Sequence, residues 1–178
     1  MLSRLLTIAF LVVLVGCTVK PNFSISTMGQ PNCQGTNCGT IIDACCIGIK
    51  PPTPFDFGFT KMGMVYIHTE TKPVFALNFI HRSHSSLSPD SATVTVDRKS
   101  FVCIGRGTPS SKRDNHRDIT EEALFEVPEQ LFQDLSSAKT VSVTLRGKTG
   151  VVERQLDKEA VEQMLRFYGT VLSKRTTL

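Results

Sequence analysis

No apolar run in this chain reaches the roughly 20 residues that a membrane-spanning helix needs. The most apolar stretch, Leu5 to Val15, is far too short, and nothing comparable follows it. No segment repeats at a fixed period, which excludes a solenoid or an array. There is also little charge of one sign. The 20 Lys and Arg against 16 Asp and Glu leave a net charge of +4, too weak an excess to argue for a nucleic-acid partner. Catalytic signatures are equally scarce: the G-x-S-x-G elbow, the H-E-x-x-H helix and the EF-hand loop are all missing. Gly105-Arg106-Gly107 follows an expected strand, but a third glycine is lacking and Pro109 comes next, so a dinucleotide-binding loop is excluded.

What the chain does carry begins at its start. Arg4 lies in a short positive lead, the Leu5–Val15 run follows, and small residues then give way to a cysteine in Leu14-Val15-Gly16-Cys17. This is the layout of a secretory signal peptide spanning 1–16. The four residues resemble the lipobox of bacterial lipoproteins. The resemblance implies cleavage before Cys17, lipidation of Cys17 with palmitate-type acyl chains, and attachment to the cell envelope. At about 0.8 kcal/mol per buried CH₂, several chains exceed the two-signal threshold for stable anchoring. Thr18 stands where Asp would mark retention at the inner membrane, so the same resemblance implies the outer membrane, with the domain at its periplasmic face.

Five further cysteines, Cys33, Cys38, Cys45, Cys46 and Cys103, would then lie in a compartment that oxidises thiols. Cys33 and Cys38 can close locally across Gln34-Gly35-Thr36-Asn37, and Cys45 or Cys46 can reach Cys103. The second bond would close a loop of about 60 residues, worth on the order of 4 kcal/mol. Cys103 as a buried free thiol is the alternative. A zinc site from Cys33, Cys38, Cys45 and Cys46 is disfavoured, because the vicinal pair makes a poor chelate.

From 17 to 60 the sequence is rich in Pro, Gly, Asn, Ser and Thr and reads as a lipidated, Cys-rich tether. The β-rich globular domain is expected over 61–178. Apolar and polar residues alternate in Ala92–Asp97 and Val141–Arg146, as half-buried strands do. Further strands are expected at Met64–Thr69, Val74–Ile80, Phe101–Ile104, Ala123–Val127 and Val151–Leu156. Asp97-Arg98-Lys99 and Gly147-Lys148-Thr149-Gly150 suit hairpin turns, the glycines by their tolerance of positive φ.

Pro128 suits a first helical position, with Leu131, Phe132, Leu135 and Ala138 on one face of a short helix. Asp157 can cap a longer one whose stripe is Ala160, Val161, Met164, Leu165, Tyr168, Val171 and Leu172. Lys174 and Arg175 sit where the helix dipole favours cations. The fold class is therefore α+β: a mainly antiparallel, β-sandwich-like domain with one short and one longer C-terminal helix. From Phe125 to Leu172 the order of strand, Pro-started short helix, hairpin and amphipathic helix resembles the periplasmic β-sandwich module of the invasion-associated protein B type. That resemblance implies a binding or structural role and transfers no site residues.

Three constellations invite a chemical reading. Ser136-Ser137-Ala138-Lys139 and Lys148-Thr149-Gly150 match two signatures of penicillin-binding enzymes, but they lie too close in sequence and S-D-N is missing, so a helix end and a turn are expected instead. His81 and His84 could share a metal if their loop curled, yet the segment offers no acidic ligand and solvated side chains are the expectation. Arg106, Lys112, Arg113 and Arg117 lie in a loop that could bind phosphate or carboxylate groups, although Asp114 and Asp118 dilute its charge.

The sequence thus describes an outer-membrane-anchored lipoprotein whose domain binds an envelope protein or glycan, or supports assembly of an envelope complex. No catalytic residue, metal ligand or cofactor is nominated. The alternatives are an envelope hydrolase with an unfamiliar site and a thiol–disulfide redox protein using Cys45-Cys46.

Overall fold

The computed structural model describes residues 24–29, 40–49, 59–68, 72–105, 110–113 and 118–175. Ten strands and two helices occupy them: β1 (Ser24–Gly29), β2 (Thr40–Ile49), β3 (Phe59–Ile67), β4 (Val74–Ser83), β5 (Pro89–Val96), β6 (Lys99–Gly105), β7 (Ser110–Arg113), β8 (Ile119–Val127), α1 (Gln130–Leu135), β9 (Val141–Gly147), β10 (Gly150–Leu156) and α2 (Lys158–Arg175). All the strand pairs are antiparallel.

The strands form one continuous sheet in the order β1-β2-β3-β4-β8-β6-β5-β9-β10, with β7 also on β8. β6 makes the join, pairing over Lys99–Cys103 with β5 and at Ile104 and Gly105 with β8. Because the ladder passes through β6 without a break, the sheet curls into a nearly closed barrel, where two stacked sheets were expected. The α+β class and the antiparallel strands stand.

Alternation explains the interior. Met62, Met64 and Tyr66 on β3, Phe75, Leu77 and Phe79 on β4, and Val94 and Val96 on β5 all point inward, as do Val141, Val143 and Leu145 on β9. Each of these strands presents every second residue to the core, so a period of two yields one filled barrel.

The tether boundary at 60 needs correcting. β1 and β2 fall inside the expected tether, and Ile42, Ala44, Ile47 and Ile49 of β2 belong to the core. β3 also begins earlier than expected, at Phe59.

One end of the barrel is stoppered by helices. Asp157 caps α2 by accepting from the Ala160 N–H at 2.9 Å. α2 then packs on α1, β2, β3 and β10, burying Ala160, Met164, Phe167 and Val171. Of the expected stripe, Val161, Leu165 and Tyr168 are only partly buried. Leu172 is 43% exposed, and Phe167 takes the central place because the helix is rotated slightly from the expected face. Arg175 ends the helix with a two-pronged grip on Glu129, at 2.8 and 3.2 Å, and donates to Tyr66 Oη at 3.0 Å. Pro128 precedes α1 without entering it; Glu129 is the N-cap.

The two hairpin turns fall where expected. Asp97 turns β5 into β6 with φ of 52°. Its carboxylate accepts from the N–H groups of Lys139 and Thr140 and from the Thr140 hydroxyl. The Thr140 N–H foremost among these holds it below the usual aspartate range. The glycines of the β9–β10 turn do not take positive φ; Gly147 is there for clearance, since a Cβ on it would lie 2.0 Å from the Leu87 carbonyl oxygen.

Candidate functional site: a hydroxyl-lined cleft at the open end

The barrel interior changes character toward the end away from the helices. Inward alternation continues one step further on three neighbouring strands, but the residues become polar: Thr60 on β3, His81 on β4 and Glu121 on β8. Thr60 pairs with His81 and His81 with Glu121, so the three stand side by side in one cross-strand row. Arg154 reaches this row from β10. All four are at most 3% exposed.

Burying such groups is costly unless they are hydrogen-bonded. Arg154 Nε donates to Thr60 Oγ1 at 3.0 Å, and Thr60 Oγ1 lies 3.1 Å from His81 Nδ1. Thr60 Oγ1 thus accepts from the arginine and shares a second hydrogen bond with the imidazole. Arg154 also donates through Nη1 to the Glu153 carbonyl at 2.8 Å.

Glu121 fixes the neighbouring β4–β5 loop. Its Oε2 accepts from the Leu87 N–H at 2.6 Å. Its Oε1 accepts from the Ser88 N–H at 2.8 Å and the Ser86 hydroxyl at 2.7 Å. Ser88 holds a positive φ of 48°, uncommon for serine, and this anchoring supports it. The β9–β10 turn braces the loop from the other side, with Gly147 packed against the Leu87 and Ser88 carbonyls and the Thr149 hydroxyl donating to the Ser86 carbonyl.

Between loop and turn opens a cleft of about 340 Å³, lined by His81, Ser83, Ser85, Ser86, Leu87, Thr149, Gly150, Val151 and Val152. Its size sits at the lower end of small-molecule sites.

The residues singled out from sequence are placed differently. Ser136–Lys139 follows α1 and Lys148–Gly150 forms the far turn, so the seven residues of β9 separate them by roughly 20 Å. Only Thr149 and Gly150 of those motifs reach the cleft. His81 is buried in the row, while His84 lies outside and pairs with Asp118, an acid that proximity in sequence did not offer. The described residues hold no group of three His, Cys, Asp or Glu that could take a metal. Lys112 and Arg113 are consecutive, exposed residues of β7 and alternate between its faces, so they do not converge. Arg106 and Arg117 lie outside the described residues, as do Cys17, Cys33 and Cys38.

Cys45 and Cys46 fall on β2 where its register with β3 slips between Ala44 and Ile47, the mark of a β-bulge. Cys103 is a buried free thiol, so the expected bond from it to Cys45 or Cys46 is not formed. Burial pushes this thiol up to about 11. It lies on the core face of β6 beside Phe101, where it packs as a small apolar residue.

Sequence reasoning did not find the row of Thr60, His81, Glu121 and Arg154: it read His81 only as a loop residue beside His84, and the other three not at all. A signal existed, because each of the first three occupies the next inward position beyond an apolar alternation: Thr60 before Met62 and Met64, His81 after Leu77 and Phe79, Glu121 before Ala123 and Phe125.

No protein-family model, curated protein or solved structure gives a significant match to this chain.

Proposed function

We propose that this chain is a lipid-anchored protein of the bacterial outer membrane whose domain, at the periplasmic face, binds another envelope component. The observation that carries the anchor is Leu14-Val15-Gly16-Cys17 at the end of a short apolar run. The order of elements from Phe125 to Leu172, with its resemblance to the invasion-associated protein B type module, supports a binding role.

The cleft's chemistry supports binding over catalysis. A serine nucleophile needs a base to take its proton. Here Ser86 donates to a carboxylate already engaged by two backbone N–H groups, and Ser83 donates to the Ser85 carbonyl at 2.5 Å. These hydroxyls are fastened to the scaffold, as recognition groups are.

Replacing Cys17 by Ser should move the protein from the membrane fraction to the soluble fraction. Retention of the Ser variant on membranes after a high-salt wash refutes the anchor. Crosslinking in intact cells should capture a stable neighbour; its absence refutes the binding role.

A further inference from the structure

We propose that the cleft between the β4–β5 loop and the β9–β10 turn binds a neutral sugar residue through the sugar's hydroxyl protons. This deepens the reading above and rests on it, since it names the class of envelope component.

The argument follows the protons. Three lining hydroxyls have theirs committed within the protein: Ser83 to the Ser85 carbonyl, Ser86 to Glu121, and Thr149 to the Ser86 carbonyl. Ser86 Oγ and Ser88 Oγ are also 3.1 Å apart, and with the Ser86 proton on Glu121 it is Ser88 that donates between them. A hydroxyl has one proton and two lone pairs. What these side chains retain is therefore acceptor capacity.

A ligand that engages these three hydroxyls must bring donors. Phosphate and carboxylate bring only acceptors, and they are held by cations or by N–H groups. Among the described residues lining the cleft there is no lysine or arginine, and Leu87 N–H and Ser88 N–H already serve Glu121. A cation is poorly served as well. The nearby carboxylate already accepts three hydrogen bonds, and Arg154 adds positive charge to the same buried row through Thr60.

A neutral polyol meets these conditions. Its hydroxyls supply protons to Ser83, Ser86 and Thr149, and its C–H face can lie on Val151, which is 49% exposed, and Val152. The recess accommodates a group of sugar-ring size. Its walls are already fixed by Glu121 and the β9–β10 turn, so little ordering remains to be done on binding.

The test uses saturation-transfer NMR on the full-length protein in detergent micelles. The probes are glucose and N-acetylglucosamine, with glucosamine and inorganic phosphate as charged competitors. Transfer to the neutral sugars at roughly millimolar affinity is expected, with neither competitor displacing them. Ser83→Ala and Thr149→Val should each weaken binding roughly fivefold, the loss of one hydrogen bond. Thr149→Val also removes a brace on the loop, so Ser83→Ala, with an unchanged unfolding midpoint, is the deciding variant. No transfer to either sugar, displacement by phosphate, or wild-type affinity in Ser83→Ala overturns the proposal. Photocrosslinking in cells from position 85 and from position 162 on α2 separates the two readings. Capture from position 162 alongside silent sugars sinks the sugar assignment and leaves envelope binding standing; no capture from either position, with silent sugars, sinks both.

Discussion

Removing the carboxylate of Glu121 should undo the open end of the barrel while leaving the helical end intact. In Glu121→Ala the N–H groups of Leu87 and Ser88 lose their acceptor, as does the Ser86 hydroxyl. An unsatisfied buried donor costs about 1–3 kcal/mol. Leu87 N is buried, whereas Ser88 N is only partly so and recovers some of its loss from water. The expected loss is about 2–5 kcal/mol, a large share of the roughly 5–15 kcal/mol that holds a domain together. Glu121→Gln keeps one acceptor oxygen and loses the charge, so about 1–2 kcal/mol is expected from it. Urea unfolding gives the totals, and amide hydrogen exchange at Leu87 and Ser88 locates them. Both amides should be protected in the wild type and exchange at loop rates in Glu121→Ala, while amides of β3 and β4 near Tyr66 and Phe75 change only with global stability. An unchanged midpoint, or Leu87 and Ser88 amides that stay protected, would refute the view that this carboxylate organises the loop.

Further predictions concern the supports around it. Gly147→Ala places a methyl 2.0 Å from the Leu87 carbonyl oxygen and should cost about 1–3 kcal/mol, whereas Gly150→Ala, with nothing within 4 Å, should stay within about 0.5 kcal/mol; equal melting shifts would refute the clearance argument. Cys103 ionises near 9.0 when unfolded but only at about 11 when folded, so stability is undiminished below pH 9 and falls as pH rises toward 11. Cys103→Ala should remove that part of the slope in unfolding measurements, and the native thiol should resist alkylation at neutral pH; rapid labelling of native protein counts against its burial. Glu129→Ala breaks the two-pronged contact with Arg175 and the Tyr168 hydrogen bond, and because the pair is about a quarter exposed the expected loss is near 1 kcal/mol by thermal melting.

Seven of the ten strands were legible from period-two alternation, as were both helices and both hairpin turns. Val94, Val143 and Leu145 are all buried where their alternation places them. β2 was hidden by its setting: Thr40–Ile49 is apolar enough to be a strand, but the surrounding Pro, Gly, Asn and Cys give the region a loop's composition. β1 and β7 are short and polar, and they gain their form only by pairing with β2 and β8. The curl into a nearly closed sheet was not legible because strand order is non-local, and nothing in β6 announces that it will bond to β8 as well as to β5. The polar row was missed for a related reason. A lone Thr, His or Glu at a strand end reads as solvated until the register sets Thr60, His81 and Glu121 side by side. Arg154 is harder still, since it lies on the edge strand β10 and is buried through its contact across to β3.

The helical stopper has a kinetic consequence. α2 closes the barrel against β2 and β3, elements that precede it by more than a hundred residues in β2's case. A chain that emerges from its N-terminus first must hold the apolar inner face of β2 uncovered until α2 has appeared. Contacts of such sequence separation form slowly and leave partly folded states exposed to aggregation. Among the described elements α2 is thus the one that ends the vulnerable interval, and a nascent chain halted before Lys158 should remain a client for chaperones however well its first strands have paired.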